Sequence, residues 1–201
     1  MLGGIEVDLL VFTGDVMAAP YVPPALPTRL LSQLLDNVVV RDRRLAVLGN
    51  HDSALASDAL EETGFEVLIN RSTALERFGD RIVITGLNDV HSFYTPAARA
   101  AISEGTENFR IALVHSPEVA DYAAAAGVDL YLCGHTHGGQ ICLPGGRWVL
   151  SLLTRCRYAV SGFWHDGPML GYTSRGFGVS WPPLRYNCLG EMTIFTLRRA
   201  V

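Results

Sequence analysis

The stretch Cys133-Gly134-His135-Thr136-His137-Gly138-Gly139-Gln140 continues a largely apolar run, Val128–Cys133. Its two imidazoles are two residues apart and have glycines on both sides. Residues i and i+2 of a strand point the same way, and in a tight glycine-bounded turn both rings can lean into one small volume. Neutral imidazole is a common ligand for Zn, Mn and Fe. The stretch therefore predicts a buried strand that ends in a metal-binding turn; the alternative is a polar turn whose histidines happen to be close.

Three further apolar runs, which read as buried strands, also end in side chains that can bind a metal. They are Asp8–Thr13, Arg44–Leu48 and Phe109–Val114. In open α/β sheets, ligands gather at the carboxyl ends of the strands, so parallel neighbouring strands would bring these groups to one edge. Four of the six histidines in the chain are among the groups. The sequence thus predicts a metal site formed by the residues after the four runs: Asp15, Asn50, His51, His115, His135 and His137.

Three glycines precede these groups directly, namely Gly14, Gly49 and Gly134. Glycine lets the chain turn sharply and allows the backbone to approach an ion or a phosphate closely. We therefore expect tight turns at each of the three positions.

The segments between the runs alternate between helical and extended patterns, which predicts an α/β fold. Leu26–Leu35 has helical apolar spacing, Ser57–Glu62 is a short helix with Ser57 as its N-cap, and Ser116 begins a further helix. Ser72–Phe78 and Arg81–Gly86 form a hairpin. The segment beyond Gln140 is β-rich and predicts a second sheet, with strands at Tyr158–Trp164, Met169–Ser174 and Met192–Leu197.

Length and composition fit a single domain over residues 1–201. The formal net charge is -4, which argues against binding to long nucleic acid. No run approaches the ~20 apolar residues of a membrane span, and the first residues lack the positive region of a signal peptide. The four cysteines form no CxxC pair, which favours a reducing compartment. We expect a cytoplasmic protein, with peripheral association at the membrane as the alternative.

The series Gly14-Asp15, Gly49-Asn50-His51-Asp52, His115 and Gly134-His135-Thr136-His137 resembles the calcineurin-like metallophosphoesterase family. Gly134–Gln140 and Ser174–Gly178 are similar to its bacterial membrane-associated phosphoesterase branch. The resemblance covers nearly the whole chain. It implies an α/β fold of two mixed β-sheets packed face to face as a sandwich, with helices on the outer faces.

The resemblance also implies a ligand set for two divalent metal ions, which are Mn, Fe, Zn or Ni. The Asp15 carboxylate would bridge the two ions. Asn50, His115 and His135 would complete the shell of the second ion, and His137 would bind the first.

Two further residues receive roles by resemblance. His51 would face the phosphate as a general acid or charge stabiliser, and Asp52 would orient its imidazole. A hydroxide bridging the two ions would attack phosphorus in line. The expected activity is hydrolysis of a phosphomonoester or phosphodiester, on a small-molecule, nucleotide-linked or lipid-linked substrate.

The sequence departs from the family pattern at one point. Family members begin with an Asp-x-His motif on the first strand, and no such motif precedes Asp15. One hypothesis is an enzyme whose sequence here lacks an N-terminal segment of one strand and one helix. The other is a short protein with a single metal site and little or no catalysis, which binds metal or phosphate.

Two further segments could contribute to the site. Asp89-Val90-His91 is literally Asp-x-His, but it comes in the wrong chain order and is interpreted as a substrate-side or surface loop. Arg175, which lies in a glycine-rich stretch, is a candidate phosphate contact.

Overall fold

Two β-sheets with helices outside them make up the computed structural model, which describes residues 4–17, 23–91 and 94–199. One sheet has three strands in the order β1-β2-β3, and the other has six in the order β4-β5-β6-β7-β9-β8. The elements in chain order are β1 (Ile5–Phe12), α1 (Ala25–Leu35), β2 (Val38–Ala46), α2 (Ala54–Glu62), β3 (Glu66–Val67), β4 (Arg71–Arg77), β5 (Asp80–Gly86), α3 (Pro96–Ser103), β6 (Phe109–Leu113), α4 (Ala120–Ala125), β7 (Leu130–Cys133), β8 (Gly162–Asp166) and β9 (Met169–Thr173).

The two sheets differ in strand direction. The three-stranded sheet is parallel throughout. In the six-stranded sheet β5, β6, β7 and β9 run parallel, while β4 and β8 pair antiparallel to β5 and β9 at the two edges. The hairpin predicted between residues 72 and 86 is therefore confirmed as β4 and β5.

Alternating side chains of each central strand build three apolar layers, because successive strand residues point to opposite faces. At the end of β2, Leu45 and Val47 pack between the sheets against β6 and β7, whereas Ala46 and Leu48 face Leu60 of α2. In the same way, Leu132 of β7 lies between the sheets and Tyr131 lies under α4. The predicted two-sheet sandwich with outer helices is thus confirmed.

The β-rich C-terminal part does not form the second sheet. Strands β8 and β9 instead extend the six-stranded sheet beyond β7, while the other sheet is built from the first third of the chain. Met192–Leu197 lies in neither sheet. The segment instead packs through its side chains on Tyr172 of β9. The Phe195 and Tyr172 ring centroids are 5.1 Å apart, and Thr193 Oγ1 lies 2.9 Å from the Tyr172 hydroxyl.

Helix α2 begins earlier than predicted. Its N-cap position is Ser53, not Ser57. Ala56 and Leu60, which are one helical turn apart, are both fully buried, so the apolar face begins before Ser57 and carries the helix with it.

One edge of β1 has no neighbouring strand among the described residues. This edge borders a largely apolar cleft of about 1970 Å³ between the sheets, which extends to Asp15 and His115. The apolar residues of β1 are therefore half-buried rather than enclosed on both faces. In the described ranges, no helix is both long enough and apolar enough to span a bilayer.

Candidate metal centre

The carboxyl ends of two strand pairs, one from each sheet, meet at a single rim. Beyond β1 and β2, the Val47 amide still bonds to the Phe12 carbonyl at 3.1 Å. Beyond β6 and β7, the Gly134 amide bonds to the His115 carbonyl at 2.9 Å. We expected all the metal-binding groups at the edge of one sheet of parallel neighbours. The structure instead uses two sheets, because β1 and β2 belong to one and β6 and β7 to the other.

Three side chains converge most closely at this rim. Asp15, His115 and His135 each offer one ligand atom, and these atoms all lie within 4.8 Å of one another. His115 Nε2 is 3.2 Å from Asp15 Oδ2 and 3.1 Å from His135 Nδ1. Asn50 adds its Oδ1, also 3.1 Å from His115 Nε2. The structure thus brings together four of the five predicted metal ligands.

The hydrogen bond made by the other His115 nitrogen indicates what these atoms bind. His115 Nδ1 is 2.7 Å from the Thr13 carbonyl oxygen, which can only accept, so Nδ1 carries a proton. In the neutral ring Nε2 then presents a lone pair towards two oxygen acceptors. A positive charge between these atoms satisfies them all, supplied either by a metal ion or by the Nε2 proton of a charged His115 ring. The mixed imidazole, amide and carboxylate donors suit a divalent transition metal.

The surroundings of Asp15 and His135 set their protonation states. Burial alone would raise the pKa of Asp15, but the hydrogen bond and charge of His115 and the His51 amide outweigh it and lower that pKa. Burial, together with the nearby His115 and His91, lowers the pKa of His135 to about 3. The carboxylate is therefore ionised and the His135 imidazole neutral at neutral pH.

A proton competes with the metal at His115. Burial alone would lower the pKa of His115, but the hydrogen bond and charge of Asp15 and the Thr13 carbonyl raise it above its ordinary value. Protonation of His115 Nε2 therefore opposes metal binding at this rim, so metal affinity should fall as the pH is lowered.

The turns at the rim bring backbone against ligand. Gly14 and Asp15 both have positive φ, 89° and 58°. At Gly49 the backbone passes directly against the Asp15 side chain. A Cβ at Gly49 would lie 2.1 Å from Asp15 Oδ1. The predicted need for glycine before the ligands is thus steric at this position.

We expect Gly49→Ala to displace the Asp15 carboxylate, because 2.1 Å is far below any permitted contact. Its Mn²⁺ affinity in a calorimetric titration should fall by at least the roughly 10–100-fold that the loss of an outer-shell partner costs. Gly105→Ala is the matched control, since its added methyl would meet no atom within 4 Å. Equal affinities for the two variants would contradict this account of the turn.

Asp52 has different partners from those we expected. Its Oδ2 accepts the backbone N–H groups of Asp15 at 2.7 Å and Gly49 at 3.0 Å, and its Oδ1 accepts that of Met17 at 3.0 Å. Among the described residues these amides, and not the His51 ring, are its hydrogen-bond partners. A carboxylate three residues after Gly49 can reach back to both turns, so Asp52 holds the Asp15 turn against the Asn50 turn.

His51 contacts Asp15 through its backbone. Its N–H donates to Asp15 Oδ1 at 2.9 Å, while the side chain borders the cleft beside the rim. This bond fixes the second carboxylate oxygen through the His51 backbone, so it does not depend on the imidazole.

His137 lies on the short helical turn His137–Gly139, outside the close cluster. Its Nδ1 is buried and has no hydrogen-bond partner among the described residues, as for a ligand position. Burial, and then the charge of Arg185, lowers the pKa of His137. The Cys188 thiol and the Arg185 guanidinium both donate to the His137 carbonyl and hold this turn.

Two residues outside the predicted ligand set have instructive places. Arg175 is paired with Glu191, with its Nε 2.7 Å from Oε2, so the guanidinium of this phosphate-contact candidate is already engaged.

His91 lies against His135, with ring centroids 4.3 Å apart. Of the two interpretations given to this segment, a substrate-side loop or a surface loop, its position fits the first, because the fold turns the loop after β5 towards the rim. The literal Asp-x-His was the available signal.

Comparison with known proteins identifies the family that the sequence motifs resemble. The family described as calcineurin-like phosphoesterase matches residues 2–139. The uncharacterized metallophosphoesterase YkuE of Bacillus subtilis is 32% identical over 198 residues, covering 95% of this chain and 68% of that protein. The phosphodiesterase YaeI of Escherichia coli is 29% identical over 94% of this chain and 70% of its own. An uncharacterized metallophosphoesterase of Aquifex aeolicus is 27% identical over 95% of this chain and 73% of its own.

Proposed function

The chain belongs to the calcineurin-like phosphoesterase family, and from this membership and the geometry of the rim we propose that it hydrolyses phosphate esters with divalent metal ions held at that rim. The observation that carries the proposal is the convergence on His115 Nε2, which has Asp15 Oδ2, Asn50 Oδ1 and His135 Nδ1 within 3.2 Å. Lone pairs placed this closely favour a bound cation. The rim also opens into a cleft that can admit a substrate.

We assign the ligands as follows. Asp15 has one oxygen at the His115 cluster and one fixed by the His51 amide, which suits a carboxylate that bridges two ions. Asn50, His115 and His135 would hold an ion at the cluster. His137, with its unpartnered buried nitrogen, would hold the other ion.

Divalent ions, when bound, stabilise negative charge on a phosphoryl group and lower the pKa of coordinated water. The chain itself orients the reaction. Asp52 holds together the two turns that carry Asp15 and Asn50. The His51 side chain, beside the rim and not used in holding Asp15, donates a proton or hydrogen bond to the phosphate or its leaving oxygen.

The substrate we propose is a small-molecule or lipid-linked phosphate ester. The largely apolar cleft beside the rim supports a substrate with an apolar part. A diester is the first choice, since a relative of this chain is named a phosphodiesterase. The cytoplasmic location remains a prediction.

A metal or phosphate binder with little catalysis is the second candidate function. It is favoured by one observation, that the described residues contain a single close group of three ionisable ligands. Two ions per chain would favour the enzyme, and one would favour the binder.

The test combines metal counting with hydrolysis. Metal-free protein is loaded separately with Mn²⁺, Fe²⁺, Zn²⁺ or Ni²⁺, and the bound ions are counted after gel filtration. Hydrolysis of 4-nitrophenyl phosphate and bis(4-nitrophenyl) phosphate is then followed. We expect hydrolysis that needs the metal and stops on chelation. Metal-independent hydrolysis would contradict the proposal, and binding without hydrolysis of either ester would support the second candidate.

A further inference from the structure

His91 links a metal-binding imidazole to a buried carboxylate. Its ring lies against that of His135, with centroids 4.3 Å apart and planes inclined by 42°. Its Nδ1 is 2.7 Å from Glu118 Oε2. Neither His91 nor Glu118 belongs to the close ligand cluster.

Glu118 is built to hold one geometry. Its side chain is only 7% exposed. Oε1 accepts both the backbone N–H and the hydroxyl of Thr154, at 2.8 and 2.7 Å, while Oε2 faces His91. Burial alone would raise the pKa of Glu118, but the bonds from Thr154 and His91 outweigh it and lower that pKa. The group is therefore a carboxylate, which only accepts, so Nδ1 of the His91 ring carries the proton.

The same turn supplies both a ligand and this anchor. Glu118 follows His115 by three residues and lies on the turn Pro117–Val119, which Ser116 caps. The Tyr131 hydroxyl donates to the Ser116 carbonyl at 2.7 Å and fixes the turn on β7, the strand that leads to His135. His115, Glu118, His91 and His135 therefore form a closed circuit of contacts across the rim.

The His135 ring needs such a support. Its backbone has φ 68°, in the left-handed region, and its Nδ1 must point at His115 Nε2, 3.1 Å away, to share a cation. The other contact that fixes this ring comes from the side, where His91 packs on it. The turn at His91 is itself fixed, because its N–H donates to Asp89 Oδ1 at 2.9 Å.

We propose that His91 is a positioning residue, which Glu118 holds against His135 so that the His135 imidazole keeps the orientation needed to bind the metal. This inference rests on the proposed function, since it takes His135 to be a metal ligand. It adds two residues, His91 and Glu118, that act on the metal through His135 and not by direct contact.

The measurement is Co²⁺ binding to the full chain, followed by calorimetry and by the visible spectrum, which reports the ligand field. We expect His91→Ala to weaken Co²⁺ binding by roughly 10–100-fold, the usual cost of losing an outer-shell partner, and to alter the spectrum of the bound ion. His91→Phe keeps a ring against His135 but loses the bond to Glu118, so its loss should be smaller. Glu118→Gln should also weaken binding. The amide has one acceptor oxygen in place of two, so it cannot accept from both Thr154 and His91 Nδ1 in the present geometry.

The matched control is His165→Ala, which removes an exposed histidine on β8. It should leave Co²⁺ affinity and spectrum unchanged. Thermal unfolding of every metal-free variant checks that the chain is folded during the titration. Should His91→Ala fold poorly, Glu118→Gln and His91→Phe carry the same test.

The outcomes separate this inference from the function it rests on. Co²⁺ binding that Asp15→Asn leaves intact would contradict the proposed metal centre. If Co²⁺ binding depends on Asp15 but His91→Ala has the affinity and spectrum of the wild type, the positioning role alone is overturned. The same result in both Glu118→Gln and His91→Phe would also overturn it. A graded loss with an altered spectrum supports it.

Discussion

Asp15→Asn is expected to abolish binding of both ions and to reduce hydrolysis to background. The carboxylate is the one ionised oxygen ligand in the close cluster, and it lies 3.2 Å from His115 Nε2. Asparagine has the same shape and tolerates the left-handed backbone that residue 15 adopts, at φ 58°, so the turn should persist. Its Oδ1 can still accept the His51 amide. The change therefore removes charge and leaves the geometry.

Metal content after gel filtration and Mn²⁺ titration measure this result. The affinity should fall by more than the roughly 10–100-fold that an outer-shell change costs. Asp58→Asn, on the exposed side of α2, is the matched control and should keep both ions. Retention of one ion at full occupancy in Asp15→Asn would contradict a bridging carboxylate.

The strands that carry these ligands were predictable because each is a short, near-continuous apolar run, the pattern of a buried strand. The apolar runs before Asp15, Asn50, His115 and His135 each read as strands, and each is a strand in the structure. The carboxyl-end rule then placed the ligands together, although two sheets share the rim and not one. Local pattern identifies a strand but not its neighbours, because sheet membership depends on contacts distant in the sequence.

Long-range contacts also explain the roles that the sequence missed. The family resemblance implies that Asp52 orients the His51 imidazole, yet the Asp52 oxygens accept the backbone amides of Asp15, Met17 and Gly49. Similarly, nothing local to Asp89-Val90-His91 shows that His91 packs on His135, 44 positions further along the chain. Glu118 follows Ser116, where the sequence predicts the start of a helix, but its bonds to His91 and Thr154 depend on the tertiary fold.

The extended C-terminal segment shows the converse case. Met192–Leu197 is predicted as a strand because the segment is β-rich, and its Thr193 and Phe195 side chains do pack on Tyr172 of β9. A strand also needs a backbone partner, which local composition cannot supply. Side-chain packing and ladder pairing are thus separate requirements, and local composition bears on the first alone.

His51→Ala is expected to reduce turnover on an alkyl phosphate ester by roughly 10²–10⁴-fold, the usual contribution of a general acid, while metal content stays unchanged. The bond to Asp15 comes from the His51 backbone N–H, so alanine preserves it. His165→Ala, which removes an exposed histidine from β8, is the control for loss of an imidazole. Loss of metal together with activity would show that the ring supports the metal centre instead.

A comparison of leaving groups separates the two roles open to the ring. A general acid matters most when the leaving oxygen is basic. If His51 is a general acid, the loss of turnover in His51→Ala relative to the wild type should be far larger on an alkyl ester than on the matching 4-nitrophenyl ester, whose leaving group needs no proton. A ring that only stabilises charge on the phosphoryl oxygens is equally important for both esters, and the two losses should match. The imidazole borders the cleft beside Asp15, where either contact is geometrically open. The ratio of the two losses therefore decides between them, and no loss on either ester would remove His51 from the reaction.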